Sequence, residues 1–252
     1  MSQALRDPRS WPHGETEPAR VLELDPDLTR WLAPEESAQA VRHAMAQVSV
    51  LRPGRWPLPD DALRFAKDIG ILVLDGLVAR SQTVARATTA ELLGAGDLLR
   101  PWLQGDEGSS LPAPSGWEVL QPTRVALLDA AFARRVAPWP EITAALFERS
   151  VQRSRMLAFQ MAVSQLRRVD TRLLLLLWRF ADRWGRVTPD GVVVPMQLTH
   201  TWLARLVGAQ RPSVTTALGQ LSEHGAVERL GDGSWLLKGQ PPSDEAARDG
   251  EL

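Results

Sequence analysis

Apolar positions near the C-terminus recur at helical spacing, stop at a turn, and recur again. Trp202, Leu203, Leu206 and Val207 share one helical face behind Thr199, a good N-cap, and Gly208 is placed to end that helix. Gln210 and Arg211 fall in a tight turn, and Pro212 suits the first turn of a second helix. Val214, Leu218 and Leu221 make the inward stripe of this second helix, which Gly225 stops. Val227 to Lys238 then reads as two short strands joined at Gly231-Asp232-Gly233, with Asp-Gly at the hairpin tip. Helix, turn, helix and hairpin together make a winged helix-turn-helix.

The pattern upstream divides into a β region and a long helix. Between Gln47 and Asp129, short apolar segments such as Ile71 to Leu74 and Val125 to Leu128 alternate with turn residues at Pro53-Gly54, Asp75-Gly76, Gly94 to Asp97 and Ser115-Gly116. Such spacing predicts a sandwich or barrel, with a helical insert near Asp60 to Asp68. Helical turns precede it from Pro26 to Met45, with Pro34-Glu35-Glu36 opening the second of them. From Glu141 to Arg168 there are 28 residues without Gly or Pro. Wholly helical, they would span about 42 Å. Ile142, Leu146, Phe147, Val151, Leu157 and Met161 lie on more than one side of that helix, so one apolar face belongs on its own domain and one on a twin subunit. Arg149, Arg153 and Gln160 interrupt the heptad register. Asp170 opens a further helix with a core stripe of Leu173, Leu174, Leu176, Leu177 and Phe180, ended by Gly185, and Val192 to Val194 is a short strand.

Composition narrows the class. At 252 residues, with 44% hydrophobic and 23% charged residues, the chain is that of a globular protein with a substantial core. It has no cysteine, which excludes disulfides, cysteine-held clusters and thiol sensing on this chain. No apolar run reaches membrane-spanning length and the N-terminus lacks a signal-peptide core, so a cytoplasmic location is expected, without a membrane partner. The net charge of -1 does not mark a nucleic-acid binder, but from Arg167 to Lys238 cations outnumber carboxylates ten to six. The four histidines, His13, His43, His200 and His224, have no metal-ligand spacing, and no nucleophile elbow, P-loop or dinucleotide fingerprint occurs. The sequence therefore predicts no catalytic residue, no metal and no cofactor, and a protein that is not an enzyme.

Leu198, Thr199, Leu203, Ala204, Leu206, Val207, Gly208, Arg211, Ser213, Val214, Ala217, Leu218 and Leu221 together resemble the DNA-binding signature of the cyclic-AMP receptor protein/fumarate-nitrate regulator (CRP/FNR) superfamily. The resemblance implies an α+β chain: an N-terminal β-roll sensor domain like a cyclic-nucleotide-binding domain, a long dimerisation helix, and a C-terminal winged helix-turn-helix. The expected boundaries are a flexible leader at 1–20, the β-roll at 21–140, the dimerisation helix at 141–168, the DNA-binding domain at 169–239 and a disordered tail at 240–252. It also implies a homodimeric transcription regulator on a pseudo-palindromic duplex. Arg211 stands in the place of the family's base-reading arginine. The family's glutamate and second arginine are Pro212 and Thr216 here, which predicts a different recognised sequence. Expected DNA-contact residues are Thr199, His200, Gln210, Arg211, Ser213, Thr215 and Thr216. RNA polymerase is a further candidate partner.

The family's nucleotide cassette is altered. Leu93 to Leu99 resembles the turn before it, but the expected Gly-Glu pair is Arg100-Pro101, and counting back from Val125 puts Glu118 where the phosphate arginine belongs. A buried carboxylate there would repel the phosphate, so cyclic AMP in the standard mode is not expected. The Gly, Ser and Pro-rich segment from Gln104 to Gly116 reads as a loop in place of the cassette. Arg100, Trp102, Trp117 and Glu118 are candidates for a pocket taking an unidentified small-molecule effector, a flat apolar one in this tryptophan-rich chain. The competing expectation is a winged-helix adaptor that binds a protein and no DNA.

Overall fold

The computed structural model describes residues 16–59, 62–103, 110–111 and 113–242. It forms two compact units, one of residues up to Arg80 with Leu92–Ser154, the other of Ser81–Glu91 with Arg155 onward. The expected leader at 1–15, the tail at 243–252 and part of the loop after Gln104 lie outside the described residues.

In the first unit, β1 (Thr16–Arg20) is followed by α1 (Val21–Leu24), a 3-10 turn at Pro26–Thr29 and α2 (Pro34–His43). Then come β2 (Met45–Leu51), β3 (Gly54–Arg55), a 3-10 turn at Ala62–Phe65, β4 (Gly70–Val84), β5 (Ala87–Gly94), β6 (Leu98–Leu99) and β7 (Ser115–Leu128), and α3 (Ala130–Val136); of these, the end of β4 from Ser81 and β5 as far as Glu91 belong to the second unit. One seven-stranded sheet runs β1-β2-β7-β4-β5, with β3 on β7 and β6 on β4. Thr16–Arg20 is thus strand, a correction to the leader expected through residue 20. As an edge strand it is held by backbone pairing to Met45–Ser49, so a polar sequence suffices and leaves no apolar period to detect.

Alternation along the strands gives the sheet two cores. Ile71 and Val73 enter one with Trp102, Trp117, Val119 and Val125. Leu72, Ala126 and Leu128 enter the other with Val21, Leu28, Phe132 and Ile142 from the helical segments. Each large side chain so buried contributes about 1.5–3 kcal/mol. The Gly94 to Asp97 turn forms as expected, with the buried Asp97 carboxylate accepting from Gly94 N at 2.8 Å.

The helix α4 (Pro140–Ser164) starts in the first unit and ends in the second. It stops four residues before the expected Arg168. Gln165 N and Leu166 N bond three residues back, to Ala162 O and Val163 O, in a tightened last turn. Two of the three residues that blurred the heptad have separate partners: Arg149 pairs with Asp25 at 3.1 Å inside the first unit, and the buried Gln160 amide reaches Ala90 O and Leu206 O, each at 3.4 Å, inside the second. Among the outward residues, Ala144, Phe147, Val151, Ser154, Ala158 and Met161 are spaced alternately three and four apart, with Phe147 and Met161 each 70% exposed and Val151 partly covered. That is a continuous seam of the coiled-coil kind.

The second unit continues with α5 (Val169–Trp184), β8 (Arg186–Thr188), β9 (Gly191–Val194), α6 (His200–Val207), α7 (Arg211–Glu223), β10 (Val227–Arg229) and β11 (Trp235–Leu237). Its sheet runs β10-β11-β9-β8. The expected helix at Asp170, the strand at Val192 and the hairpin after Val227 are all present. The strand β8 carried no sequence signal, because its central Val187 is 87% exposed.

Gly76 interrupts β4 at φ +86, and a Cβ there would meet Pro122 O at 2.4 Å and Thr123 Oγ1 at 2.5 Å. The same Thr123 hydroxyl accepts from Leu77 N at 3.0 Å, so the strand has no room to shift. Gly76→Ala should therefore lose about 2–4 kcal/mol of stability, read as a lower urea midpoint at unchanged slope.

Candidate nucleic-acid interface

Thr199 caps α6 by accepting from Trp202 N at 3.3 Å, and Gly208 closes it in the left-handed region at φ +64. The carbonyls left over at this end are taken by Arg172 of α5. Its guanidinium donates to Val207 O at 3.3 Å and Gly208 O at 3.2 Å, and Nε donates to Leu166 O at 2.7 Å. Gln210 is the N-cap residue of α7, so Arg211 is its first helical residue and not a member of the turn, as the sequence had placed it.

The helix α7 buries Val214, Ala217, Leu218 and Leu221. Its opposite face exposes Arg211, Ser213, Thr215, Thr216, Gly219 and Gln220. The Thr215 and Thr216 hydroxyls donate to Arg211 O and Pro212 O at 3.1 and 3.3 Å, which leaves their oxygens outward as acceptors. In the wing, the Asp232 carboxylate accepts from Ser234 N at 2.9 Å and from its hydroxyl at 2.6 Å. Those bonds, the hydroxyl first, hold the Asp232 carboxyl below its usual range. Of the two wing cations, Lys238 pairs with Glu228 at 2.7 Å, whereas Arg229 is exposed and lies over the Trp235 ring.

These elements converge on one surface cavity of about 370 Å³, lined by Thr199, His200, Thr201, Arg211 and Arg229. His200 Nδ1 lies 2.9 Å from Thr215 Oγ1. Burial first, then Arg229 and Arg211, push the imidazole below the ordinary histidine value. Thr199, His200 and Arg211 thus meet as expected, and Thr215 is tied in through His200. Ser213 and Thr216 share the exposed face of α7, and Gln210 stands at its start. Thr201 and Arg229 were missed. Arg229 was visible in the sequence as the wing cation without an opposite charge across the hairpin.

The four residues expected to share a sensor pocket do not do so. Trp102 is core, stacked on Phe65 at 5.1 Å, and Arg100 lies over Trp102 and donates to Ala66 O at 3.1 Å. Glu118 is exposed, because strand alternation sends Trp117 and Val119 inward and the residue between them outward. Counting from Val125 had placed it inside. Trp117 alone of the four lines a groove of about 470 Å³, with Arg55, Trp56, Pro57, Pro59 and Ser115. Among the described residues no group of three His, Asp or Glu side chains is arranged to hold a metal, and no helix is long and apolar enough to cross a membrane.

The sequence of residues 171–238 matches the Crp-like helix-turn-helix domain. A CooA mutant from Carboxydothermus hydrogenoformans has the same fold over 93% of this chain and 96% of its own, at 15% identity and a TM-score of 0.59. Residues 171–238 thus carry a Crp-like helix-turn-helix domain. FixK2 from Bradyrhizobium japonicum matches 77% of this chain and 93% of its own, at 16% identity and a TM-score of 0.58. A CRP/FNR family transcriptional regulator from Thermus thermophilus matches 80% and 96%, at 20% identity and a TM-score of 0.50. No curated protein sequence matches the chain. At these identities the solved structures speak for the fold, and the domain match speaks for a Crp-like helix-turn-helix in residues 171–238.

Arg172→Ala should cost about 1.5–3 kcal/mol, the value of hydrogen bonds from a charged donor to otherwise unpaired carbonyls, measured as a loss in chemical unfolding. A loss under about 0.5 kcal/mol would mean that water serves those carbonyls equally well.

Proposed function

We propose that the protein is a homodimeric transcription regulator that reads duplex DNA with α7. Supporting this is the convergence of Arg211, Arg229 and the α6 N-terminus on one cavity beside an exposed polar helix face, while Val214, Ala217, Leu218 and Leu221 of that helix are turned inward. In a major groove, Arg211 from the first turn of α7 meets a guanine through O6 and N7. Ser213, Thr215 and Thr216 lie beside it, and Thr199, His200 and Gln210 flank the groove at its phosphates. Pro212 carries no hydrogen-bonding side chain, so base selectivity rests on Arg211 and the threonine oxygens.

Two copies join along the seam on α4. Phe147 and Met161, each 70% exposed in the single chain, are the residues with most to gain from a partner. Pairing there sets two α7 helices against two half-sites about 34 Å apart. The sensor unit does not take cyclic AMP in the standard mode. Trp117, Val119 and Val125 are the side chains β7 sends into the inner core, and none is a cation that would receive a cyclic phosphate. An effector, where one acts, meets the groove beside Trp117.

Two outcomes follow. Against a duplex selected from a random pool, Arg211→Ala should lose about 1–3 kcal/mol while its affinity for mixed-sequence DNA changes little, measured by competition at fixed salt. Equal affinity of the variant and the parent for the selected duplex would remove Arg211 as the reader, and salt-independent binding to a protein with none to DNA would favour the adaptor role. In sedimentation, Phe147→Glu with Met161→Glu should convert a dimer to a folded monomer.

A further inference from the structure

The cavity between the first reader helix and the wing holds two permanent cations and one conditional one. Arg211 reaches it from α7 and Arg229 from β10, and Thr199, His200 and Thr201 line it from the start of α6. The Thr215 hydroxyl donates to Arg211 O, so its oxygen is free to accept from His200 Nδ1–H. That bond sets the tautomer: Nδ1 keeps its hydrogen, and Nε2 is the nitrogen left to gain a proton.

Among the described residues the groups that act on the imidazole are Arg211 and the uncharged Thr215 on α7 and Arg229 on β10, and no carboxylate is among them. A third positive charge at this point lacks a counter-charge until an anion enters. Two arginines and two threonine hydroxyls around a cavity of about 370 Å³ offer the donors a phosphate diester takes.

We propose that this cavity seats one backbone phosphate of the duplex, and that His200 takes up a proton as that phosphate docks. The inference rests on the DNA-binding role proposed above and adds its regulation by pH. The sign follows from the two states. Without DNA the imidazole is held below the ordinary histidine value, and it is neutral near neutral pH. With a phosphate beside it the charged form is favoured and the value rises. Affinity is then level above the bound-state value, climbs as pH falls between the two values, and levels again below the free-state value. The climb is about tenfold for each unit that separates them.

The test is fluorescence anisotropy of the full chain with a labelled duplex of about 40 base pairs of mixed sequence, at constant ionic strength, because the phosphate contribution is independent of sequence. From about pH 8 to about pH 5.5, wild-type affinity should rise about tenfold. His200→Gln should flatten that rise. His200→Arg should bind at the upper pH as tightly as wild type does at the lower, and His224→Gln should keep the wild-type slope. Imidazole resonances of His200, followed by NMR, should titrate at higher pH with duplex present than without. Equal slopes for wild type and His200→Gln, with both binding, would overturn proton uptake and leave DNA binding standing. No duplex binding by wild type at any pH would overturn both.

Discussion

The direction in which Arg211 leaves the protein is set by how Arg172 holds the end of α6. A helix ends with carbonyls that have no partner, and a left-handed glycine closes only some of them. Here the guanidinium of α5 takes Val207 O and Gly208 O, and its other edge takes Leu166 O. One side chain therefore joins the segment entering the domain, the helix that follows and the turn before the reader. Ala209 N closes the turn on Ala204 O at 2.9 Å, and α7 starts within two residues. Packing of Val214, Leu218 and Leu221 then fixes its rotation. An arginine fits this task because one planar fork serves several oxygens at once.

The long helix α4 solves a related problem of faces. Ile142, Ala145 and Leu146 are buried in a core of the first unit, and Val163 is buried near its other end. Arg149, in its pair with Asp25, and Gln160, on two backbone carbonyls, are polar residues satisfied inside their own units. Their removal from the outward face is what leaves Ala144, Phe147, Val151, Ser154, Ala158 and Met161 as an uninterrupted seam. Val151, Ser154 and Ala158 lie between Phe147 and Met161 along it.

The helix-turn-helix and wing were legible in the sequence because each of their devices is local. Thr199 as a cap, Gly208 as a stop and Asp-Gly in the wing each act within a few residues, so spacing alone reveals them. The two-core sheet was legible as strand content but not as faces. Glu118 was misassigned because a count of residues carries no information on which side of a strand a position lies, and one step reverses it. β1 escaped notice since backbone pairing does not depend on side-chain pattern, and Arg229 did so because its role depends on a cavity that separate elements of the chain close together. The heptad looked broken for the same reason: what Arg149 and Gln160 touch lies far away in sequence.

A net charge of -1 conceals an uneven distribution, since from Arg167 to Lys238 cations outnumber carboxylates ten to six. Local cation density, not the total, decides whether a phosphate backbone is attracted. The claim on which the account rests is that a guanidinium enters a major groove twice per assembly. Methylation interference at guanine N7, on a duplex selected from random sequence, tests it most directly. The account predicts interference at a guanine in each of two half-sites, about one helical turn apart and related by a two-fold axis. Binding that tolerates methylation at every guanine, or a single unrepeated site, would contradict it.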